Sequence, residues 1–290
     1  MRECYKAASV HRLRIPTIND GPHDFKRLFQ KWQSVQEHLP SLVRLDFSGC
    51  RFLRPNAIAF LGGMARSLEL MGVCVDIDFV TIQENVRRTL DRNDFLASFG
   101  AEPYPWDGNS VPYCQYSYEE FDSIPDYLED KWLGRGWVKI SDSYKEEIIS
   151  NTLEIYQNAF EHSNSPIGVV TCGQQFPNMK LLKLTVIDFG IGVPTNVRNF
   201  RNHPNMLSTD AFRWAFQKGH STRKGFSGGD GLSILKSFVM DKQGKIEIYS
   251  HDGYAIFSED GEDYRVIDSF FEGTLVNITV KCDIEVCTEF

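Results

Sequence analysis

The chain has 290 residues, of which 42% are hydrophobic, 13% are aromatic and 24% are charged, and its formal net charge is −8 at pH 7. This composition is that of a globular protein with ample material for a core, and the length allows two ordinary domains. The acidic balance disfavours nucleic acid and anionic membranes as main partners, although it leaves room for a local basic patch.

The N-terminal segment MRECYKAASVHRLRIP carries scattered charges and lacks the apolar region of a secretory signal. The best apolar candidate for a membrane span, AIAFLGGMA, is much too short to cross a bilayer. Among the seven cysteines only Cys282 and Cys287 are close neighbours, so their spacing does not define a zinc site. We therefore expect a cytoplasmic protein with no membrane segment.

Residues 42–80 have the pattern of a strand, a helix and a second strand. LVRLDFSG alternates apolar and polar residues and ends at Gly49, as a strand does. PNAIAFLGGMARSLELMG starts with Pro55, has helically spaced apolar residues and stops at Gly72, and VCVDIDFV follows as a strand. This β-α-β crossover predicts a right-handed connection and a partly parallel sheet.

Two amphipathic helices are predicted on either side of this unit, in DFKRLFQKWQSVQEHLP and in NVRRTLDRNDFLASFG. Residues 101–140 then change character, because they are rich in Pro, Tyr and Asp without a sustained period. Their aromatic density favours an ordered connector over a solvated linker. We therefore predict an α/β domain at residues 1–100, a connector at 101–140 and a second α/β domain at 141–290.

The second half begins with a strong helix, SDSYKEEIISNTLEIYQNAFEHSN, which Ser141 or Ser143 can cap. Strand patterns follow in GVVTCG, KLLKLTVIDFG, KIEIYS and TLVNITVKC. A long polar stretch at residues 193–228 and a glycine cluster, GFSGGDGLSILKSFVM, separate the second of these strands from the third.

Asp188-Phe189-Gly190 spells the metal-binding triplet of protein kinases. The chain contains no His-Arg-Asp triplet to accompany it, and GHSTRKG lacks the spacing of a Walker A loop. We therefore reject both interpretations.

Three other patterns follow one another along the chain, on a helix, at a strand end and in a glycine-rich loop. The first lies on the long helix. Glu154, Asn158 and His162 are four residues apart, so they form one stripe on the helix. An Asn carbonyl oxygen suits a Mg²⁺ ion that bridges phosphates, and a Glu one turn earlier can polarise a water toward the γ-phosphorus. Taken alone, this stripe is more often a solvated helix edge.

The second pattern is Asp188-x-Gly190-x-Gly192, directly after the apolar strand LLKLTVI. A carboxylate at the end of a strand can accept a hydrogen bond from the adenine amino group. The two glycines allow the backbone to pass close to the base and to begin a mobile loop. Taken alone, an Asp with two glycines is often an ordinary turn.

The third pattern is SGGDGLSIL, in which glycines precede an apolar helix that includes Leu232. Here backbone N–H groups and a helix N-terminus converge where phosphates can bind. The glycines are Gly228, Gly229 and Gly231. The preceding loop offers further phosphate contacts from His220, Ser221, Thr222, Arg223 and Lys224.

Together the three patterns resemble the GHKL superfamily, the ATP-binding fold of histidine kinases, gyrase-type and Hsp90-type ATPases, MutL proteins and anti-sigma-factor serine kinases. LEIYQNAFEHS resembles its N box, VIDFGIGVP its G1 box and GGDGLSIL its G2 box, over residues 141–281. The resemblance implies an α/β sandwich that binds ATP and Mg²⁺. It also implies a role for each matching residue: Asn158 on the metal, Glu154 as base, Asp188 on adenine, and the glycines at the lid and phosphates.

The first half resembles a STAS domain, the fold of anti-sigma-factor antagonists, over LVRLDFSGCRFLRPNAIAFLGGMARSLELMGVCVDI. Where those antagonists carry Asp-Ser before the helix, this chain has Arg54-Pro55, so the phosphorylatable Ser is missing. An unrelated α/β domain with the same pattern stays open.

Three functions follow as hypotheses: an ATP-hydrolysing switch whose lid closure is sensed by the STAS-like domain or a partner, a serine/threonine kinase of the anti-sigma-factor type, or a non-catalytic nucleotide-sensing module. Glu154 favours the first. We expect a protein partner, leave a homodimer open, and expect neither a membrane nor nucleic acid as partner.

Overall fold

The structure is a computed structural model that describes residues 9–105, 107–222, 231–241 and 244–282. It contains a three-stranded parallel sheet near the N-terminus and a five-stranded antiparallel sheet after it. No helix within these ranges is long and apolar enough to cross a membrane.

The N-terminal unit alternates strands and helices. Its strands are β1 (Val10–Arg14), β2 (Leu42–Asp46) and β3 (Cys74–Ile77), paired in the order β1-β2-β3. Its helices are α1 (Pro22–Gln36), α2 (Pro55–Leu70), α3 (Glu84–Arg92) and α4 (Phe95–Ser98), with a 3-10 turn at Phe79–Thr81. The predicted crossover from β2 through α2 to a parallel β3 is confirmed. Strand β1 was not predicted. The resemblance of this unit to a STAS domain stays a prediction.

The C-terminal part builds an antiparallel sheet in the order β4-β5-β6-β8-β7. The strands are β4 (Ser110–Tyr116), β5 (Val169–Phe176), β6 (Leu181–Asp188), β7 (Lys245–Ser258) and β8 (Gly261–Lys281). The helices are α5 (Ile124–Asp126), which continues as a π-helical segment at Tyr127–Leu133, α6 (Asp142–His162), α7 (Gly192–Arg201), α8 (Ser208–Ala215) and α9 (Gly231–Asp241). Two 3-10 turns lie at Tyr118–Ser123 and Pro177–Met179.

One face of the five-stranded sheet is covered by α6 and α9. Apolar side chains of these helices, such as Ile148, Ile155 and Leu235, share a buried cluster with Val186 and Val276 of the sheet. Burial of these apolar faces is the main force that holds helices on a sheet. The predicted α/β sandwich is confirmed.

The opposite face of the same sheet packs against the N-terminal unit. Helix α1 buries the predicted apolar face, formed by Phe25, Leu28, Phe29, Trp32 and Val35. These side chains share one buried cluster with residues of strands β1–β3, with seven residues of α2 and with Val170, Ile187, Tyr249 and Leu275 of the large sheet. Helices α1 and α2 therefore lie between the two sheets.

Polar contacts also join the two parts. The Asp20 carboxylate accepts a hydrogen bond from the Asn56 amide at 2.8 Å and another from the Lys183 ammonium at 2.7 Å. Asn56 belongs to α2 and Lys183 to β6, so one carboxylate ties the N-terminal unit to the sheet. The segment that we treated as a connector contributes as well, because its strand β4 is an edge strand paired with β5.

Candidate functional site

Helix α6 is placed by its cap and by its buried face. The Ser141 hydroxyl accepts a hydrogen bond from the Tyr144 N–H at 3.3 Å, so Ser141 rather than Ser143 is the N-cap. Ile148 and Ile155 are buried against the sheet, and the polar stripe of Glu154 and Asn158 is left facing a cavity beside it.

This cavity has a volume of about 400 Å³ and lies among α6, the end of β6, interior residues of β7 and β8, and segments of α7, α8 and α9. It brings together predicted site residues that are far apart in sequence. These are Glu154, Asn158, Asp188, Ser221, Thr222, Gly231 and Leu232, with His220 beside them. Its volume is in the range of small-molecule and cofactor sites.

Asp188 is the last residue of β6 and is 3% exposed. Its Oδ1 atom accepts a hydrogen bond from the Gly190 N–H at 2.9 Å, and Thr274 of β8, its partner across the ladder, donates from both its backbone and its hydroxyl. Burial raises the pKa of Asp188 to about 7, and these hydrogen bonds oppose the rise. The carboxylate is therefore a buried acceptor at the wall of the cavity.

The Asn158 side chain has a defined orientation. Its amide nitrogen donates to the Glu154 backbone oxygen at 2.6 Å, one turn earlier in α6. No hydrogen bond to its carbonyl oxygen occurs within the described residues, so this oxygen is the atom available to a ligand. An amide oxygen is a suitable ligand for Mg²⁺.

The Glu154 carboxylate lies against the first residue of α9. A Cβ at Gly231 would overlap Oε2 of Glu154, so the glycine is what allows the carboxylate to approach the helix N-terminus. A helix N-terminus favours negative charge because its first N–H groups have no partner within the helix. The same place therefore suits an anionic group of a ligand.

Gly190 and Gly192 do not line the cavity but shape the loop after Asp188. A Cβ at Gly190 would overlap the Ser163 carbonyl, which accepts the Ile191 N–H at 2.7 Å. Gly192 has a φ of +73°, a conformation that side chains rarely adopt, and it packs on Ser250. The loop is thus held against the C-terminus of α6, which fixes Asp188 relative to Asn158.

Two predicted residues, Lys224 and Gly229, lie outside the described residues, as do the candidates Arg223 and Gly228.

Sequence reasoning missed several residues of the cavity. Thr274 is the most important, because it hydrogen-bonds Asp188 and lines the cavity itself. The segment TLVNITVKC was predicted as a strand, but only the pairing of β6 with β8 places Thr274 opposite Asp188. Other lining residues that were missed are Ser163, Asn196, Trp214 and Phe216.

A polar network holds α7 and α8 beside the loop. Arg198 contacts Nδ1 of His251 at 3.1 Å, and because a guanidinium can only donate, Nδ1 accepts and Nε2 carries the proton. Nε2 then donates to the Ile191 carbonyl at 3.0 Å. Burial lowers the pKa of His251, which favours this neutral form. Arg198 also donates to Ser208 at the start of α8.

Residues 146–281 match the family model described as "Histidine kinase-, DNA gyrase B-, and HSP90-like ATPase". The match runs from α6 to the end of β8 and includes all the cavity-lining residues named above. The match supports the predicted GHKL-type ATP-binding domain in this part of the chain. A search of curated proteins found no match to the chain.

Proposed function

We propose that the protein binds ATP with Mg²⁺ in this cavity and hydrolyses it. The observation that carries the proposal is that one cavity joins a buried carboxylate, Asp188, to an Asn oxygen and a Glu carboxylate on the same face of α6. These three groups suit an adenine ring, a phosphate-bound metal ion and an attacking water respectively.

Each residue then has a distinct task. Asp188, supported by the Thr274 hydroxyl, accepts a hydrogen bond from the adenine amino group. The carbonyl oxygen of Asn158 holds Mg²⁺, which neutralises the charge of the phosphates when it is bound. Glu154 orients a water and takes its proton. Ser221 and the N-terminus of α9 at Gly231 contact the phosphates.

The proposal includes a switch. Residues between β6 and α9, including Trp214 and the segment His220–Thr222, also line the cavity. A segment in this position can act as a lid that changes its packing when phosphates are bound.

Phe189 supports the idea that the N-terminal unit senses this switch. It follows Asp188 directly, yet its ring packs away from the cavity, 5.4 Å from the ring of Trp32 in α1 and 5.5 Å from that of Phe60 in α2. A shift of the loop on nucleotide binding would therefore be transmitted to both helices. The proposal includes the assignment of this N-terminal unit as a STAS-like domain.

The test is to incubate the purified protein with γ-labelled ATP and Mg²⁺ and to follow the label. Glu154→Ala removes the proposed base, and Glu146→Ala is the matched control, because Glu146 lies on the same helix but is exposed. We expect release of labelled phosphate by wild type and by Glu146→Ala, and a loss of about 100-fold or more in Glu154→Ala.

Other outcomes would change the proposal. Label bound to the protein or to an added partner would support the serine/threonine kinase alternative. Label that remains in ATP, with nucleotide binding intact, would support a non-catalytic sensor. Equal loss in the two Glu variants would remove Glu154 as the base. Size-exclusion chromatography of the purified protein with and without ATP tests whether it forms the homodimer that the sequence leaves open.

A further inference from the structure

A second pocket lies in the N-terminal unit, where β1 ends at Arg14 and where Gly49 follows the end of β2. Its volume is about 540 Å³, and it shares no lining residue with the nucleotide cavity. The lining residues are Arg14, Pro16, Arg27, Gln30, Lys31, Ser34 and Gly49. In α/β sheets with parallel strands, ligands bind beyond the carboxyl ends of the strands, which is where this pocket lies.

The pocket concentrates positive charge. Three of its lining residues are Arg14, Arg27 and Lys31, and none is acidic. In the part of the chain that the structure describes, Arg14 and Lys31 form no ion pair. The chain as a whole has a net charge of −8, so this cluster is opposite in sign to the net charge of the chain.

The neighbouring cation behaves differently. Arg12, two residues before Arg14 on β1, forms ion pairs with Asp46 at 3.1 Å and with Asp78 at 3.2 Å. Side chains alternate between the two faces of a strand but point to the same face every second residue. Arg12 and Arg14 therefore point to the same face of β1, but among the described residues only Arg12 forms ion pairs with carboxylates.

The three cations are close enough to act on one another. Burial lowers the pKa of Lys31, and the charges of Arg27 and Arg14 lower it further. Arg27 is held in place, since it donates to the Thr17 carbonyl at 3.2 Å and lies 3.7 Å from Asp24. The methylene groups of Arg14 lie against Gly49, so its side chain rests on the loop after β2. An anion in the pocket would relieve this repulsion.

We propose that the pocket binds a phosphate group through Arg14 and Lys31, with Gln30 as a further donor. Phosphate fits this donor set because the guanidinium can bond two of its oxygens side by side while the ammonium bonds a third. The group can belong to a small molecule or to a phosphorylated side chain, and the chemistry of recognition is the same for both.

The experiment is isothermal titration of the full chain with inorganic phosphate and with a short phosphoserine peptide at physiological salt. The test variant is the double substitution Arg14→Gln and Lys31→Gln. The matched control is Arg88→Gln with Arg265→Gln, which removes two exposed arginines distant in sequence from the pocket. Thermal melting of each variant establishes that it is folded.

We expect the test variant to lose affinity about tenfold or more relative to wild type and to the control. A loss with both probes supports a site for small phosphates, and a loss seen only with the peptide supports a site for a phosphorylated protein. The double substitution should leave phosphate binding in the nucleotide cavity unchanged. Binding that persists in the test variant is therefore assigned to that cavity. Absence of binding, or an equal loss in test and control variants, would overturn the proposal.

Discussion

Among single residues, Asp188 combines two properties that conflict: it is almost fully buried, and it is ionisable. Its pKa is raised from 3.8 to about 7, so the folded state keeps a proton that the unfolded state has already lost in this pH window. The folded state therefore loses stability as the pH rises from about 4 to about 7. A binding site is maintained here at the expense of stability.

We expect Asp188→Asn to remove this pH dependence. The free energy of unfolding of the variant minus that of the wild type should increase by about 2–3 kcal/mol from pH 5 to pH 8. Urea unfolding at the two pH values measures it. The variant should at the same time lose ATP binding, and parallel pH profiles of the two proteins would contradict the argument.

Thr274 allows a second test, because its hydroxyl supports the Asp188 carboxylate. Thr274→Val keeps the shape of the side chain and removes that donor. We expect nucleotide affinity to fall about tenfold, the usual effect of losing one hydrogen bond to a charged group.

The matched control for Thr274→Val is Thr279→Val. Thr279 is a buried threonine of the same strand, and it does not line the cavity. Titration calorimetry with a non-hydrolysable ATP analogue compares the two variants. An equal effect of both substitutions would mean that the strand, not the hydroxyl, is responsible.

At the scale of elements, helix α6 carries two of the proposed catalytic-site residues, so its N-terminal cap bears on the site. Ser141→Ala removes the side-chain acceptor for the Tyr144 N–H. We expect a loss of about 1 kcal/mol in the free energy of unfolding, measured by urea denaturation. Ser150→Ala, an exposed position within the same helix, should have less effect. Equal losses would show that the cap is not what matters.

Helix α2 provides the test of communication with the N-terminal unit. A Cβ at Gly63 would overlap the ring of Phe189, whereas a Cβ at Gly62 would overlap Tyr113 instead. Both substitutions to Ala should destabilise the protein, since both crowd a buried helix. Only Gly63→Ala displaces the residue next to Asp188, so it should weaken ATP-analogue binding several-fold more than Gly62→Ala does. Titrations at a temperature where both variants are folded would decide this.

The elements also show what the sequence could predict. Helices α1, α2 and α6 were recognised because each has a long apolar period and clear ends, such as Pro55 and Ser141. Strand β1 was missed, because VHRLR has only five residues and buries only Leu13, so its pairing with β2 rather than its own pattern makes it a strand. Helices α7 and α8 were hidden in the polar stretch, because each is short and because α8 buries the polar residues Ser208 and Thr209 beside its apolar ones.

At the scale of the whole molecule, the two halves share a core. Tyr249, Phe271 and Leu275 of the large sheet are fully buried, and they cluster with Phe29 of α1 and Phe60 of α2. Two chain segments predicted as separate domains are thus in contact through aromatic rings. Sequence periodicity indicates which residues are buried but not which partner buries them, so this contact could not be predicted.

When the polypeptide 101–282 is produced alone, we expect the apolar face of the large sheet, which α1 and α2 cover in the full chain, to be exposed to solvent. This polypeptide should bind the dye ANS strongly and should associate at micromolar concentration, because an apolar patch of this kind is left exposed. Fluorescence and light scattering compare it with the full chain. Addition of polypeptide 1–100 should reduce both signals, and a monomeric fragment without dye binding would contradict the idea of a shared core.

The candidate site could be proposed from the sequence more readily than the contacts around it. Its motifs are local, so Asn158 and Asp188 were proposed from spacing on a helix and from a position at a strand end. Their mutual placement depends on contacts between distant segments. Asn196 illustrates this, because its amide donates to the carbonyls of His162 and Gly192 and thereby joins the end of α6 to the loop after Asp188.

The strand order β6-β8-β7 has a consequence for biosynthesis. The strand that is translated last among those described, β8, is inserted in the interior of the sheet and supplies Thr274 next to Asp188. While the ribosome is still producing this segment, β6 has an open edge and the cavity beside Asp188 lacks the wall that β8 supplies. The cavity is therefore completed only after β8 has been made, and a premature stop codon before Thr274 would leave Asp188 without its partner strand.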